Sequence, residues 1–276
     1  MTMTLHPEKS GRSFCTALFL AAAVACAGNQ LAAQTVINLG TAESFAVLGG
    51  ASVVNTGNTV LFGDLGVSPG ATISGFTPGI VVGGSIYIND TVAIQAHNDA
   101  TTAYDQLVGL TPTDDLTGQD LGGLTLTPGV YFYSAAAGLT GTLTLDGLNQ
   151  ADTLFVFQIG STLTTGVSAF NLINGATADN VWFQVGSSST LGAGTAFEGT
   201  IIAHDSDNLI TGVSVLGRVI ALNATVTLDT NTITAIPEPG VTVLIFSALV
   251  TLAVIGRRYS RFFIKASAIP RGSHTP

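Results

Sequence analysis

Leu191-Gly192-Ala193-Gly194-Thr195-Ala196-Phe197 is followed eighteen residues later by Leu209-Ile210-Thr211-Gly212-Val213-Ser214-Val215. At the same offset Gly199-Thr200-Ile201-Ile202-Ala203 is followed by Gly217-Arg218-Val219-Ile220-Ala221. Upstream, Phe157-Gln158-Ile159-Gly160-Ser161 recurs as Phe183-Gln184-Val185-Gly186-Ser187. A period near eighteen is about one turn of a three-sided β-helix, with strands of about four or five residues and a corner after each. A propeller blade needs more than twice that length. Within a repeat apolar residues alternate, as at Leu154, Val156 and again at Phe157 and Ile159, so successive coils can stack an interior, while glycines and asparagines supply the corners.

One stretch departs from this pattern. Val92, Ile94, Ala96, Ala100, Ala103, Tyr104, Leu107 and Val108 have near-helical spacing and no internal Gly or Pro, so the sequence predicts one helix over 91–108 beside the solenoid. Asp90 or Thr91 can cap its start, Gly109 its end, and Pro112 stops it. Residues 111–123, with Asp114, Asp115 and Asp120, are expected to form a loop over one end of the stack, where an uncovered coil would be a bare sheet edge.

Both termini read as addresses. Residues 1–33 form a secretory signal: Lys9 and Arg12, then the apolar run Phe14 to Ala27, with cleavage after Ala27 or, as favoured here, Ala33. A lipoprotein reading would acylate Cys26, but Ala23 stands where Leu is wanted. Cys15 and Cys26, the chain's two cysteines, fall in this leader, so residues 34–235 must fold on a core without disulfides. At the other end Ile236-Pro237-Glu238-Pro239-Gly240 precedes the apolar run 241–255 and then Arg257, Arg258 and Arg261. Residues 236–261 resemble the PEP-CTERM sorting signal, which implies a transient membrane anchor, cleavage near Pro237 and export machinery of a Gram-negative, exopolysaccharide-making bacterium. The tail 262–276, expected to be cytoplasmic, runs on past the point where such signals usually end, and an ordinary single-span anchor is the alternative. Either reading makes the domain secreted or displayed on the cell surface.

Between residues 34 and 235 Arg218 is the one Lys or Arg, against fifteen carboxylates. Such a domain cannot neutralise phosphates, which excludes nucleic acid and anionic membranes as partners. Catalytic groups are sparse: His97 and His204, no Cys, no Lys, no nucleophile elbow. A polysaccharide-cleaving β-helix would need clustered carboxylates with a cation, and Arg218 would serve alone, so the chain is read as not an enzyme. Asp205-Ser206-Asp207-Asn208 and Asp114-Asp115 could hold Ca²⁺, but Asp and Asn at β-helix corners are more often turn formers, so no metal and no cofactor is expected.

A different pattern suggests a surface. Thr56-Gly57-Asn58-Thr59, Thr165-Gly166-Val167-Ser168 and Thr211-Gly212-Val213-Ser214 share the form Thr-Gly-x-Thr/Ser, with weaker copies at Ala193-Gly194-Thr195 and Asn223-Ala224-Thr225. Stacked coil on coil, their short side chains would make a flat uncharged face with rungs about 4.7 to 4.9 Å apart. β-Branching fixes threonine's methyl and hydroxyl in a regular array that can order water. The plainer reading is that Thr and Ser favour outward strand positions.

The stretch from about Val36 to Asp229 resembles the bacterial and fungal ice-binding protein family. The resemblance rests on Asn38-Leu39-Gly40-Thr41-Ala42 with Phe45-Ala46-Val47-Leu48, on Gly63-Asp64-Leu65-Gly66-Val67-Ser68-Pro69-Gly70 and on Leu126-Thr127-Pro128-Gly129-Val130-Tyr131. It continues through Leu139 to Asp146, Phe155 to Ser161 and Val181 to Gly186. It implies an all-β, right-handed discontinuous triangular β-solenoid with one long helix alongside, acting as a monomer on ice or ordered water. The residues expected to carry that role are Thr56, Gly57, Thr59, Thr165, Gly166, Ser168, Thr195, Thr211, Gly212, Ser214, Asn223 and Thr225. His204, Asp205 and Asp207 put charge near a face that should be neutral. The alternative function is a surface or extracellular matrix protein associated with exopolysaccharide, without ice activity.

Overall fold

The computed structural model describes residues 37–150 and 153–236; the leader, Pro237-Glu238-Pro239, the run 241–255 with Arg257 and Arg258, and the tail lie outside them. The strands stack in parallel into a three-sided β-solenoid. On the first face stand β10 (Gly129–Tyr133), β12 (Phe155–Ile159), β14 (Val181–Val185) and the later halves of β16 (Ala196–Ala203) and β18 (Ser214–Ala221). The second face takes the starts of β11 (Ala137–Asp146) and β13 (Leu163–Ile173), then β15 (Ser189–Leu191), β17 (Asp207–Leu209) and β19 (Thr225–Asp229). The third face takes the later halves of β11 and β13, the starts of β16 and β18, and β20 (Thr232–Thr234).

The eighteen-residue repeat is the register itself: Ala196 pairs with Ser214, and so on through Ala203 with Ala221. Gly199 and Gly217 turn both strands round the same corner with φ of +122° and +140°. A Cβ on Gly217 would sit 2.0 Å from the Gly199 carbonyl oxygen, so only glycine fits that stacked pair. One coil earlier the repeat lengthens, because Phe155 pairs with Val181 across a wider third side built by β11 and β13. Inside, Tyr131, Phe157, Phe183 and Phe197 form an aromatic column with successive centroids 5.5, 4.4 and 4.9 Å apart.

The order of coils is not the order of the chain. β1 (Phe45–Gly49), β2 (Ser52–Thr56) and β3 (Val60–Phe62) stack directly on β18, β19 and β20. Beyond them lie β4 (Asp64–Val67), β5 (Thr72–Ser74), β6 (Ile80–Val82) and β7 (Ile86–Ile88), which end the stack. The last coil of the domain therefore sits in its middle. The chain returns to the far end through helix α1 (Thr91–Val108), whose start is capped by Asp90 accepting from the Val92 and Ala93 amides at 3.1 and 2.9 Å. Ala93, Ala96, Ala100, Ala103 and Leu107 make its buried stripe, and these small residues let it lie close on the first face. Gln158 Nε2 donates to the Leu107 carbonyl at 2.6 Å, Gln184 Nε2 to the Tyr104 hydroxyl at 2.8 Å and His97 Nε2 to the Leu222 carbonyl at 2.7 Å. At the far end β8 (Asp114–Asp115) and β9 (Thr125–Leu126) form a last rung, and buried Leu116 and Leu121 of the intervening loop join the core.

Candidate functional site

Of the three faces, the first is covered by α1 and the third carries uneven side chains, including Phe62, Leu216 and Glu198. The second is different. A column of outward positions runs Gly138, Thr164, Thr190, Asn208, Thr227, Val54 and Ser74, each paired in register with the next. Two residues earlier on each strand a second column holds Thr162, Ser188, Ser206, Thr225, Ser52 and Thr72. Each member of both columns is exposed or half-buried, while Leu163, Ser189, Asp207, Val226 and Val53 between them point inward and are buried. Parallel pairing sets the rung spacing and alternation sets the spacing along the strand, giving a net of about 4.8 by 6.7 Å. Ser52 Oγ and Thr225 Oγ1, 2.7 Å apart, tie neighbouring rungs of the second column.

The structure divides the twelve positions named from the sequence. Thr56 and Thr225 stand on the second face, at the two ends of its strands. Gly57 and Gly212 are exposed or half-buried corners with φ of +81° and +76°, and Gly166 is a half-buried corner residue. Thr211 is exposed beside them with its hydroxyl bonded to Asp229, Ser214 opens the third face, and Asn223 lies at the corner between first and second faces, donating to the His204 carbonyl at 2.7 Å. The remaining four correct the expectation. Thr59, Thr165, Ser168 and Thr195 are buried, at 0, 3, 4 and 0% exposure, and cannot belong to an outward array. Their hydroxyls serve the corner backbone instead. The Gly192 amide donates to Thr165 Oγ1 at 2.9 Å, Thr195 Oγ1 donates to the Gly166 carbonyl at 2.8 Å, and the Asn231 amide donates to Thr59 Oγ1 at 3.1 Å.

The sequence reading passed over Thr162, Thr164, Ser188, Thr190, Ser206, Asn208, Thr227, Ser52, Thr72 and Ser74. Their signal is a period of two, Ser/Thr-x-Ser/Thr/Asn within each strand, read against a buried intervening residue. The concern about charge is resolved by placement. Asp207 points into the core beside the Ser189 hydroxyl, and burial pushes its carboxyl up to about 8, so it is neutral at pH 7. Asp205 lies at the corner, where the His204 ring 2.9 Å away and the Ser187 hydroxyl hold its carboxyl below the usual range. Asp229, at a strand end, is engaged by Thr211 and Thr230. The net between these edges is uncharged. Among the described residues no three His, Cys, Asp or Glu side chains are grouped to hold a metal ion.

Comparison with known proteins gives a consistent result. Residues 47–234 match the family model described as Ice-binding-like. The chain is 49% identical over 242 residues to an ice-binding protein of Nostoc sp. (strain HG1), covering 83% of this chain and 90% of that one. The crystal structure of an ice-binding protein from the Antarctic ascomycete Antarctomyces psychrotrophicus is 43% identical, covers 73% of this chain and 98% of its own, and superposes with a TM-score of 0.70. A second crystal structure, of an ice binding protein from an Antarctic Biological Consortium, is 44% identical with a TM-score of 0.71, covering 74% of this chain and 93% of its own.

Proposed function

The chain belongs to the Ice-binding-like family, and we propose that it binds ice through the second face of its solenoid. The observation that carries this reading is the in-register net of small, uncharged outward side chains, from Thr162 and Thr164 through Thr190, Asn208 and Thr227 to Thr72 and Ser74. Binding ice needs no strong single contact. Hydroxyls repeated at fixed intervals hold a layer of water, and the methyls between them keep that layer from relaxing into bulk order. Once such a layer matches the crystal, many weak contacts act together. A flat, rigid base is required, and parallel strands stacked on an aromatic core supply it. Thr225 belongs to this net; Thr56, Thr211, Ser214 and Asn223 border it.

The leader 1–33 and the signal at 236–261 support export of the domain and its display at the cell surface, held transiently by the run 241–255. Association with exopolysaccharide would then follow from location, with ice the partner of the second face. The test is thermal hysteresis and inhibition of ice recrystallisation by the domain. Activity that disappears in Thr190→Tyr, at the centre of the net, supports the assignment; no activity at high protein concentration overturns it.

A further inference from the structure

Five of the large apolar side chains exposed among the described residues lie together at the end of the stack opposite the β8–β9 cap. Phe62, Ile80 and Val82, at 42, 52 and 39% exposure, are on the outermost rungs of the third face, with Phe62 paired to Val82. Round the next corner, Ile86 and Ile88 are 46 and 48% exposed. These two are in register with fully buried Leu65 and Val67 of β4, and among the described residues no coil follows to cover them. Among the described residues β5, β6 and β7 have a strand partner on one side only, so the end also presents strand edges.

The chain leaves the fold beside this patch. The Ala235 amide donates to the Phe62 carbonyl at 2.9 Å. Arg218, wholly buried, fixes the exit by donating from Nε to the Glu43 carbonyl at 2.8 Å and from Nη2 to the Ile236 carbonyl at 2.5 Å. From the β20 rung to the β6 rung is two steps, about 10 Å. Only Pro237 to Gly240 separate Ile236 from the apolar run 241–255, a tether of at most about 18 Å. A lipid surface entered by that run lies within reach of the open end.

We propose that the patch formed by Phe62, Ile80, Val82, Ile86 and Ile88 is a seat for a neutral, zwitterionic lipid surface, occupied while the C-terminal run is in the bilayer; this rests on the reading of residues 236–261 as a membrane-anchored sorting signal. Fifteen carboxylates against one arginine between residues 34 and 235 rule out attraction to anionic lipid. Asp64, two residues from Phe62, accepts from the Ser85 amide at 2.8 Å. The apolar side chains can bury at the headgroup boundary, and tethering removes the need for high intrinsic affinity. A second copy is a poor occupant, because β5, β6 and β7 contribute three residues each, against about 20 to 30 residues a side in a stable interface.

The full chain, reconstituted into phosphatidylcholine vesicles with brominated acyl chains, tests the seat. Phe62→Trp and Ile86→Trp should lose emission to the bromines, whereas Val167→Trp, at a position 76% exposed on the corner between second and third faces, should not. Trp182, 2% exposed, gives the same background in all three. Both test positions are exposed, and circular dichroism checks each fold; should one variant not fold, the other carries the measurement. Vesicle flotation with equal quenching at 62, 86 and 167, or with none, overturns the seat and leaves the anchor standing. Flotation unchanged when 241–255 is deleted, or no flotation at all, overturns the anchor and the seat with it. If the indole introduced by Phe62→Trp is shielded without lipid, in a way that depends on protein concentration or on 241–255, the occupant is a second copy or the chain's own run, which also overturns the proposal.

Discussion

The net of the second face and the corner where it meets the third are built from the same residue types with opposite outcomes. Thr164, Thr190 and Thr227 stand outward on a strand, exposed or half-buried. Thr165, Thr195 and Ser168 turn inward within a few residues of them, and Thr165 Oγ1 and Thr195 Oγ1 lie 2.9 Å apart in a buried chain. The difference follows from the glycines. A corner at Gly166 or Gly194 breaks the ladder, leaves amides and carbonyls without strand partners, and recruits the adjacent hydroxyls to satisfy them. The hydroxyls buried at these corners, those of Thr165, Thr195 and Ser168, thus belong to the fold, and the mid-strand threonines are left for function.

That contrast can be broken in several ways. The largest effect is expected from Thr190→Tyr, which interrupts the net at its centre. Ice activity should fall by roughly tenfold or more, with stability within about 0.5 kcal/mol of the parent. Val167→Tyr, on the exposed corner, should change neither; hysteresis and calorimetry on the pair decide it.

Next comes Asp207, the inward neighbour of Asn208. Its folded pKa, about 8, lies above the ordinary value of 3.8, so the folded chain holds a proton that the unfolded chain releases. Stability should therefore fall as pH rises between those values, by up to about 1.4 kcal/mol per pH unit from this group, and level off above. Asp207→Asn should flatten that slope, read from urea midpoints at pH 5, 6 and 7; an unchanged slope would show that the carboxyl is hydrated. Thr195→Val should cost about 1 to 3 kcal/mol by stranding the Gly166 carbonyl and the Thr165 hydroxyl, with the folded fraction still active. Thr211→Tyr, at the border of the net, is expected to have the smallest effect: a partial loss of activity and a stability change of about 0.5 kcal/mol. Complete loss there would move the centre of the site to the corner.

The repeats at 191–221 state the coil length openly, because stacked corners need glycine at matching places. Ala93, Ala96, Ala100, Ala103 and Leu107 state the helix just as openly. What has no local signal is the pairing of β1 with β18. Val47 meets Val219, 172 residues away, and nothing in either segment distinguishes that partner from any other aliphatic strand. The site was hidden for the converse reason. Thr-Gly-x-Thr is conspicuous, but its glycine marks a corner. The outward pairs Thr162 and Thr164, Ser188 and Thr190 are ordinary alternation, masked further by polar inward residues such as Ser189 and Asp207.

Placing the last coil in the middle of the stack also sets the order of events in folding. Until residues 214–234 arrive, the coils of β1 to β7 have only each other to pair with, and the coils of β10 to β16 lack the neighbour that joins them to the rest. Closing so long a loop is slow on the scale of local structure. A chain delivered from its N-terminus thus stays unlocked until nearly all of the domain has passed, and the same final coil, once inserted, pairs with both halves at once.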